Sequence, residues 1–236
     1  MKASAPRLVR DRHGVRLVHH GVLISDLRTS VRPTHGLYDI LAAVARLASE
    51  DAPRHIALLG FGAGGILAPW NALGWTGCLN AVDTDPDAYA LFRRECPLWR
   101  DQVRWTQADA VEWLVRERRR FSLIIEDLSI STGSDIEKPG ATWNRLPGLL
   151  RDRLAPEGIA LFNLLKPQGG TWRQGLDAVG GRFPRKLLVH LEDYENRILI
   201  AGRSLPEART LSAMIRRSLR SVGSCQADRF RLETLG

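Results

Sequence analysis

Apolar positions along this chain form short runs that alternate with stretches spaced like one face of a helix. Short runs at 56–60, 79–83, 103–107, 122–127 and 159–165 read as strands. Between and around them, Leu37, Ile40, Leu41, Val44 and Leu47 recur at helical spacing until Pro53. Further helices are predicted over 66–73, 86–96, around Val111, Leu114 and Val115, over 143–154 and over 172–179. Pro69 lies inside the second of these, which predicts an irregular first turn. Two final strands, 186–191 and 197–202, are joined only by Asp193-Tyr194-Glu195-Asn196, too short for a crossover, so they should pair antiparallel.

Upstream, residues 14–25 (GVRLVHHGVLIS) predict a hairpin turning at His20-Gly21. Downstream, Leu211, Met214, Ile215 and Leu219 share one face of a terminal helix, placed to pack on the sheet or on a second subunit of a homodimer. The whole pattern predicts an α/β fold, a doubly wound, mostly parallel seven-stranded sheet with a short N-terminal β-hairpin. Its parts are a hairpin extension over 1–35, the sheet domain over 36–203, and a basic helix and tail over 204–236.

Composition narrows this picture only in places. The 236 residues, 44% of them hydrophobic, suffice for one large core. No apolar stretch approaches the roughly 20 residues of a membrane span, and residues 1–11 lack the apolar segment of a secretion signal, so a cytoplasmic protein without a membrane partner is expected. Cys78, Cys96 and Cys225 are odd in number and widely spaced, suggesting reduced thiols. His19 and His20 lack a second ligand pair, so no metal site is expected.

The net charge of +8 is almost wholly arginine, since lysine occurs only at 2, 138, 166 and 186. Arg116, Arg118, Arg119 and Arg120 form one cluster, and Arg216, Arg217, Arg220, Arg229 and Arg231 another. Such charge attracts phosphates and keeps a nucleic-acid partner in view. Neither cluster is interleaved with aromatics that would stack on bases, and this favours a solvated helix end and a basic tail.

Candidate chemistry begins where the first strand ends in Gly60, Gly62, Gly64 and Gly65. Glycines there allow a sharp turn and close approach of backbone to a ligand, and Asp83, at the end of the second strand, can accept hydrogen bonds from both ribose hydroxyls. Gly60, Gly62 and Gly65 satisfy GxGxxG, a pattern that alone would also suit a dinucleotide. Nothing downstream resembles a second dinucleotide half. After the third strand come Ala108-Asp109-Ala110 and Trp113-Leu114, where an Asp can accept an exocyclic amine and small residues leave room for an adenine ring. The fourth strand ends on Asp127, preceded by Glu126, which should point to the opposite face and serve structure. The polar loop beyond it carries Asp135 and Glu137, either acids of an acceptor pocket or solvated surface charges, and Trp143 either lines that pocket or, the favoured reading, anchors the helix that follows.

Five stretches in order, LVHHGVLIS, LLGFGAGG, AVDTDP, QADAVEWL and FSLIIEDLSIS, resemble the spermidine synthase or polyamine aminopropyltransferase family, whose sheet is that of the class I S-adenosylmethionine-dependent methyltransferases. Leu58, two residues before Gly60, is closer to that family than to ordinary methyltransferases, which usually carry an acidic residue there. The resemblance implies that Gly60, Gly62 and Gly64 flank the sulfonium end of S-adenosylmethionine or its decarboxylated form, that Asp83 holds ribose, and that Asp109 with Ala110 holds adenine. It also implies that Asp127 is the catalytic aspartate and that the acceptor is a small molecule such as an amine.

The departures from the family are informative. Ala63 stands where the family's GGGDGG has the Asp that holds an aminopropyl amine, and Ile130 and Ile24 replace an acceptor Asp and Gln. Of the Tyr-His-Glu element, only His35 and Tyr38 remain nearby, which leaves Tyr38 as a substrate-site candidate. Carboxylates for a cationic acceptor are lost while the nucleoside positions are kept, and Ala63 favours a methyl over an aminopropyl donor. Three readings follow: a methyl or aminopropyl transferase, a nucleic-acid-directed methyltransferase, and a non-catalytic protein that keeps the nucleoside site.

Overall fold

The computed structural model describes residues 7–11, 14–19, 22–47, 55–132 and 135–236. In chain order the elements are β1 (Arg7–Asp11), β2 (Gly14–His19), β3 (Val22–Arg28), α1 (Leu37–Leu47), β4 (Ile56–Leu59), α2 (Leu67–Ala72), β5 (Leu79–Asp83), α3 (Pro86–Glu95), β6 (Val103–Gln107) and α4 (Ala110–Arg116). They continue with β7 (Phe121–Glu126), β8 (Ile130–Thr132), β9 (Asp135–Glu137), α5 (Gly140–Asn144), α6 (Leu146–Arg153), β10 (Leu154–Leu164), α7 (Trp172–Gly180), β11 (Arg185–Leu191), β12 (Arg197–Gly202), α8 (Ala208–Ser221) and β13 (Phe230–Leu235).

The central sheet has the order β13-β11-β12-β10-β7-β4-β5-β6. Strands β6, β5, β4, β7 and β10 run parallel, and β12, β11 and β13 add on antiparallel. It therefore has eight strands, not the expected seven. The extra strand is β13, whose apolar Phe230 and Leu232 alternate with Arg231 and Glu233 and pair it to the open edge of β11. The N-terminal hairpin is likewise one strand larger than expected, because β1 pairs with β2 to make a three-stranded sheet. The turn assigned to His20-Gly21 lies outside the described residues.

Pro69 causes no break for a simple reason. The helix begins at Leu67, so Pro69 falls in the first turn, where a backbone N–H has no helical acceptor to lose.

Helices cover both sheet faces. Apolar residues of α1, α2, α3 and α8 build the core on one side, and those of α4, α6 and α7 build it on the other. The middle strands β4 and β7 are apolar almost throughout because both of their faces are covered. Leu211, Ile215 and Leu219 of α8 are buried there, as the spacing predicts.

The C-terminal segment also shapes the front of α1. Asp39 accepts from Thr34 N–H (2.7 Å), Thr34 Oγ1 (2.6 Å), His35 N–H (3.0 Å) and Ser224 Oγ (2.5 Å). This knot fixes the turn that presents Tyr38. No helix among the described residues is long and apolar enough to cross a membrane.

Candidate active site

Strand order reverses between β4 and β7, and in open parallel sheets the crevice at such a switch point is where ligands bind. Two turns meet there. Gly60 leaves β4 with φ +83°, and a methyl group on it would sit 2.5 Å from the Asp127 carbonyl oxygen and 2.9 Å from Leu128 Cα. Asp127 N–H in turn donates to the Leu59 carbonyl at 2.8 Å, and Gly60 N–H donates to that of Val82 at 2.9 Å.

The other glycines have different roles. Gly64 (φ +79°) is packed against Phe61 and Phe92, and Gly65 lies under the Tyr38 ring, 2.7 Å from where a methyl would be. Gly62 (φ +52°) is not crowded: a methyl group on it would meet only Ser25, with the Oγ 3.9 Å away. Gly60→Ala is therefore expected to lower stability by at least about 2 kcal/mol through strain and overlap. Gly62→Ala should cost only about 1–2 kcal/mol, while placing a methyl where a ligand would approach. Urea unfolding of the two variants checks the contrast.

Asp83 closes the turn from the neighbouring strand. Its Oδ2 accepts from Gly62 N–H at 2.7 Å and its Oδ1 from Asp85 N–H at 3.0 Å. A carboxylate has about four acceptor positions, so hydroxyl partners can be added without breaking the loop. One strand further out, Ala108 N–H donates to the Asp83 carbonyl at 3.0 Å. Asp109 then caps α4, with Oδ1 accepting from Val111 N–H (2.9 Å) and Glu112 N–H (3.0 Å) and Oδ2 left for another donor. Ala110 is buried behind it.

Asp127 is half-buried at the tip of β7. Its carboxyl is pushed up to about 6, first by burial and then by the charges of Glu126 and Asp83, against the pull of Lys138 and of Asn163. Asn163 Nδ2 donates to its Oδ1 at 2.6 Å and is itself oriented by Asn196 Nδ2, which donates to Asn163 Oδ1 at 2.9 Å. Tyr38 stands within reach of the same charge. Burial first, then Asp127 and Asp26, hold its phenol well above the ordinary range, so it stays neutral.

Gly60, Gly62, Asp83, Asp127 and Tyr38 are thus brought together, with Asp109 and Ala110 alongside. Asp135 and Glu137 are not part of this group. Asp135 is exposed and bonds to the N–H of Ile136, and Glu137 accepts from Thr132 Oγ1 (2.6 Å) and from Gln168 Nε2. Glu137 thereby links the loop after β7 to the loop after β10. Ala63 is fully buried in the core and presents no polar group.

Four residues at or near the site escaped the sequence reading. Asn163 is the one polar residue in the run IALFNLL, a signal that was available. Lys138, one of only four lysines, is buried and pairs with buried Glu126 at 2.9 Å, where Thr142 Oγ1 also donates at 2.9 Å. Asp26 and Arg28 form a second buried pair at 2.7 Å on β3, and no local pattern distinguishes them from surface charges.

The arginine clusters spend many of their donors internally. Arg119 pairs with Glu117 at 2.5 Å, and Arg120 donates to the Leu154 carbonyl at 2.9 Å. Arg216 donates to the Ala227 (2.8 Å) and Phe230 (2.9 Å) carbonyls, and Arg220 and Arg229 pair with Asp228 and Asp193, each at 2.7 Å.

No family model and no curated protein sequence matches the chain. Solved structures do. A probable spermidine synthase from Corynebacterium glutamicum superposes with a TM-score of 0.75 at 17% identity, covering 97% of this chain and 87% of its own. Spermidine synthase from Thermotoga maritima gives 0.65 at 13% identity over 91% and 73%. Human methyltransferase-like protein 13, in complex with SAH, gives 0.62 at 19% identity over 78% and 93%. With its strand order, its N-terminal sheet and these likenesses, the chain has the spermidine synthase-like variant of the class I methyltransferase fold.

Proposed function

We propose that this protein is a transferase that binds S-adenosylmethionine or a closely related adenosyl sulfonium and moves an alkyl group to a small nucleophilic acceptor. The observation that carries this reading is Asp127, a half-buried carboxyl pushed up to about 6, set against the glycine turn at the switch point. The residues fit such a cofactor. Gly62 leaves backbone open to it, Asp83 keeps acceptor positions for ribose, and Asp109 Oδ2 with Ala108 and Ala110 suits an adenine edge. When bound, the sulfonium supplies an electrophilic carbon and a sulfur that leaves as a neutral thioether.

The chain's own part is to deliver the acceptor and take its proton. Asp127, held by Asn163, orients the acceptor and receives the proton that its nitrogen or oxygen loses as the new bond forms. Tyr38, a neutral phenol beside it, can donate a hydrogen bond to a polar acceptor group. Buried, apolar Ala63 offers nothing to an aminopropyl amine, and this favours the methyl donor. The internal pairing of the arginine clusters favours a small acceptor over nucleic acid.

Calorimetric titration with S-adenosylmethionine, its decarboxylated form and methylthioadenosine tests the reading. Saturable binding is expected, tightest for S-adenosylmethionine, and Asp83→Asn should weaken it by at least about tenfold because a charge-assisted hydrogen bond is lost. Absence of binding by all three would refute it. Binding without transfer to any amine, carboxylate or hydroxyl acceptor would leave only the non-catalytic, nucleoside-binding reading.

A further inference from the structure

Two grooves meet at Trp172, at the start of α7, and the second is also lined by Asn196, which orients the Asn163 that holds Asp127. One, of about 430 Å³, runs between α7 and the strands β11 and β13, and the other, of about 360 Å³, opens at the ends of β11 and β12. Both are of the size that small ligands occupy. They share one wall, the Arg197 guanidinium stacked on the Trp172 ring at 4.3 Å from its centroid.

Arginines without a side-chain partner, such as Arg118, Arg145 and Arg217, are exposed, whereas Arg197 is half-buried. Arg216, Arg220, Arg229 and Arg231, on the adjoining α8–β13 segment, all have carboxylate or carbonyl partners. The side chain of half-buried Arg197 makes no hydrogen bond or ion pair among the described residues, and neither does that of Lys186 in the first groove or of exposed Lys166 in the second. Of the acids nearby, Asp177 faces Arg173 at 3.9 Å, Glu233 is held by His190 (2.7 Å) and Arg231 (2.6 Å), and Glu195 is exposed. Stacking fixes the plane of Arg197 and leaves its N–H edge for a bidentate acceptor. Partial burial weakens its hold on its proton, and the charge of Glu233 works the other way.

We propose that these grooves form an oxyanion site, in which Arg197, flanked by Lys186 on one side and Lys166 on the other, binds the phosphate or carboxylate group of a small molecule. The first groove lies on the α7 face of the sheet and the second adjoins the Asn196–Asn163–Asp127 chain, and the site does not require any particular cofactor. A planar carboxylate and a tetrahedral phosphate both present a pair of charged oxygens that the N–H edge of Arg197 can grip.

The test is calorimetric titration of the full chain with sodium pyrophosphate, inorganic phosphate and succinate. At least one should bind saturably below about 1 mM. Arg197→Gln should weaken that binding at least about tenfold, as should Lys186→Gln or Lys166→Gln, whichever lysine shares the occupied groove, while exposed Arg118→Gln leaves it unchanged. Preference for pyrophosphate identifies a phosphorylated ligand, and preference for succinate a carboxylate. S-adenosylmethionine binding and the thermal midpoint of Arg197→Gln report separately on the cofactor site and the fold. No binding up to about 10 mM, or equal binding by a folded Arg197→Gln variant, would overturn the proposal.

Discussion

Replacing Asp127 by Asn is expected to lower the rate of alkyl transfer by about 10²–10⁴-fold, the usual contribution of a positioned proton acceptor, while leaving affinity for S-adenosylmethionine within about twofold. Asn keeps an oxygen for the Asn163 amide but cannot take a proton. In the wild-type protein, Asp127 carries its own proton below pH 6, so kcat/KM should rise with pH through about 6 and level off above it. The variant should lose that limb.

Stability should move in the opposite direction. The folded-state value lies above the ordinary 3.8, so the unfolded chain releases this proton first, and ionising Asp127 works against the fold as pH rises from about 4 to about 6. D127N should thus be at least as stable as wild type at neutral pH, with the difference shrinking as pH falls toward 4. A residue serving only structure would show no such opposition, and a variant retaining more than about a tenth of wild-type activity would remove Asp127 from the mechanism.

Much of this site is legible in the sequence because its residues sit where a period ends. Gly60, Asp83 and Asp127 each terminate an apolar run, and the end of a strand in a parallel sheet is a place in space as well as in sequence. Asp109 is readable for the same reason, as the residue before a helix. What could not be read is which loop charges fold inward. Asp135 and Glu137 looked like the acids of an acceptor pocket, yet the first is exposed and the second is tied to Thr132 and Gln168.

Lys138, one residue further on, is the charge that turns inward. Its partner Glu126 lies 12 residues upstream and no local pattern joins the two: the pairing depends on the β8–β9 hairpin that returns the chain to β7. The eighth strand was missed for a related reason. FRLETL carries charge at two of its six positions, and pairing to the open edge of β11 makes it a strand.

Breaking the Glu126–Lys138 pair should have the largest effect on stability. The two side chains are 0% and 3% exposed and 2.9 Å apart, so Lys138→Met leaves an uncompensated carboxylate in the core. Removing one partner of a buried pair costs about 3–5 kcal/mol, a large part of the about 5–15 kcal/mol that holds a typical domain. Burial already holds Glu126 above the usual carboxylate range even with Lys138 beside it. Without Lys138, Glu126 rises further and the folded protein takes up a proton that the unfolded chain releases near 4.5, so the deficit should be larger at pH 8 than at pH 5. Urea midpoints at the two values measure this. Glu126→Leu combined with Lys138→Met removes both charges and should recover most of the loss. Lys138 also pulls the Asp127 carboxyl down, so in any Lys138→Met protein that folds, the rise of kcat/KM should move above pH 6. An unshifted profile would show that the pair anchors the loop without tuning the aspartate. A shift accompanied by recovered stability in the double variant would show that one buried lysine does both.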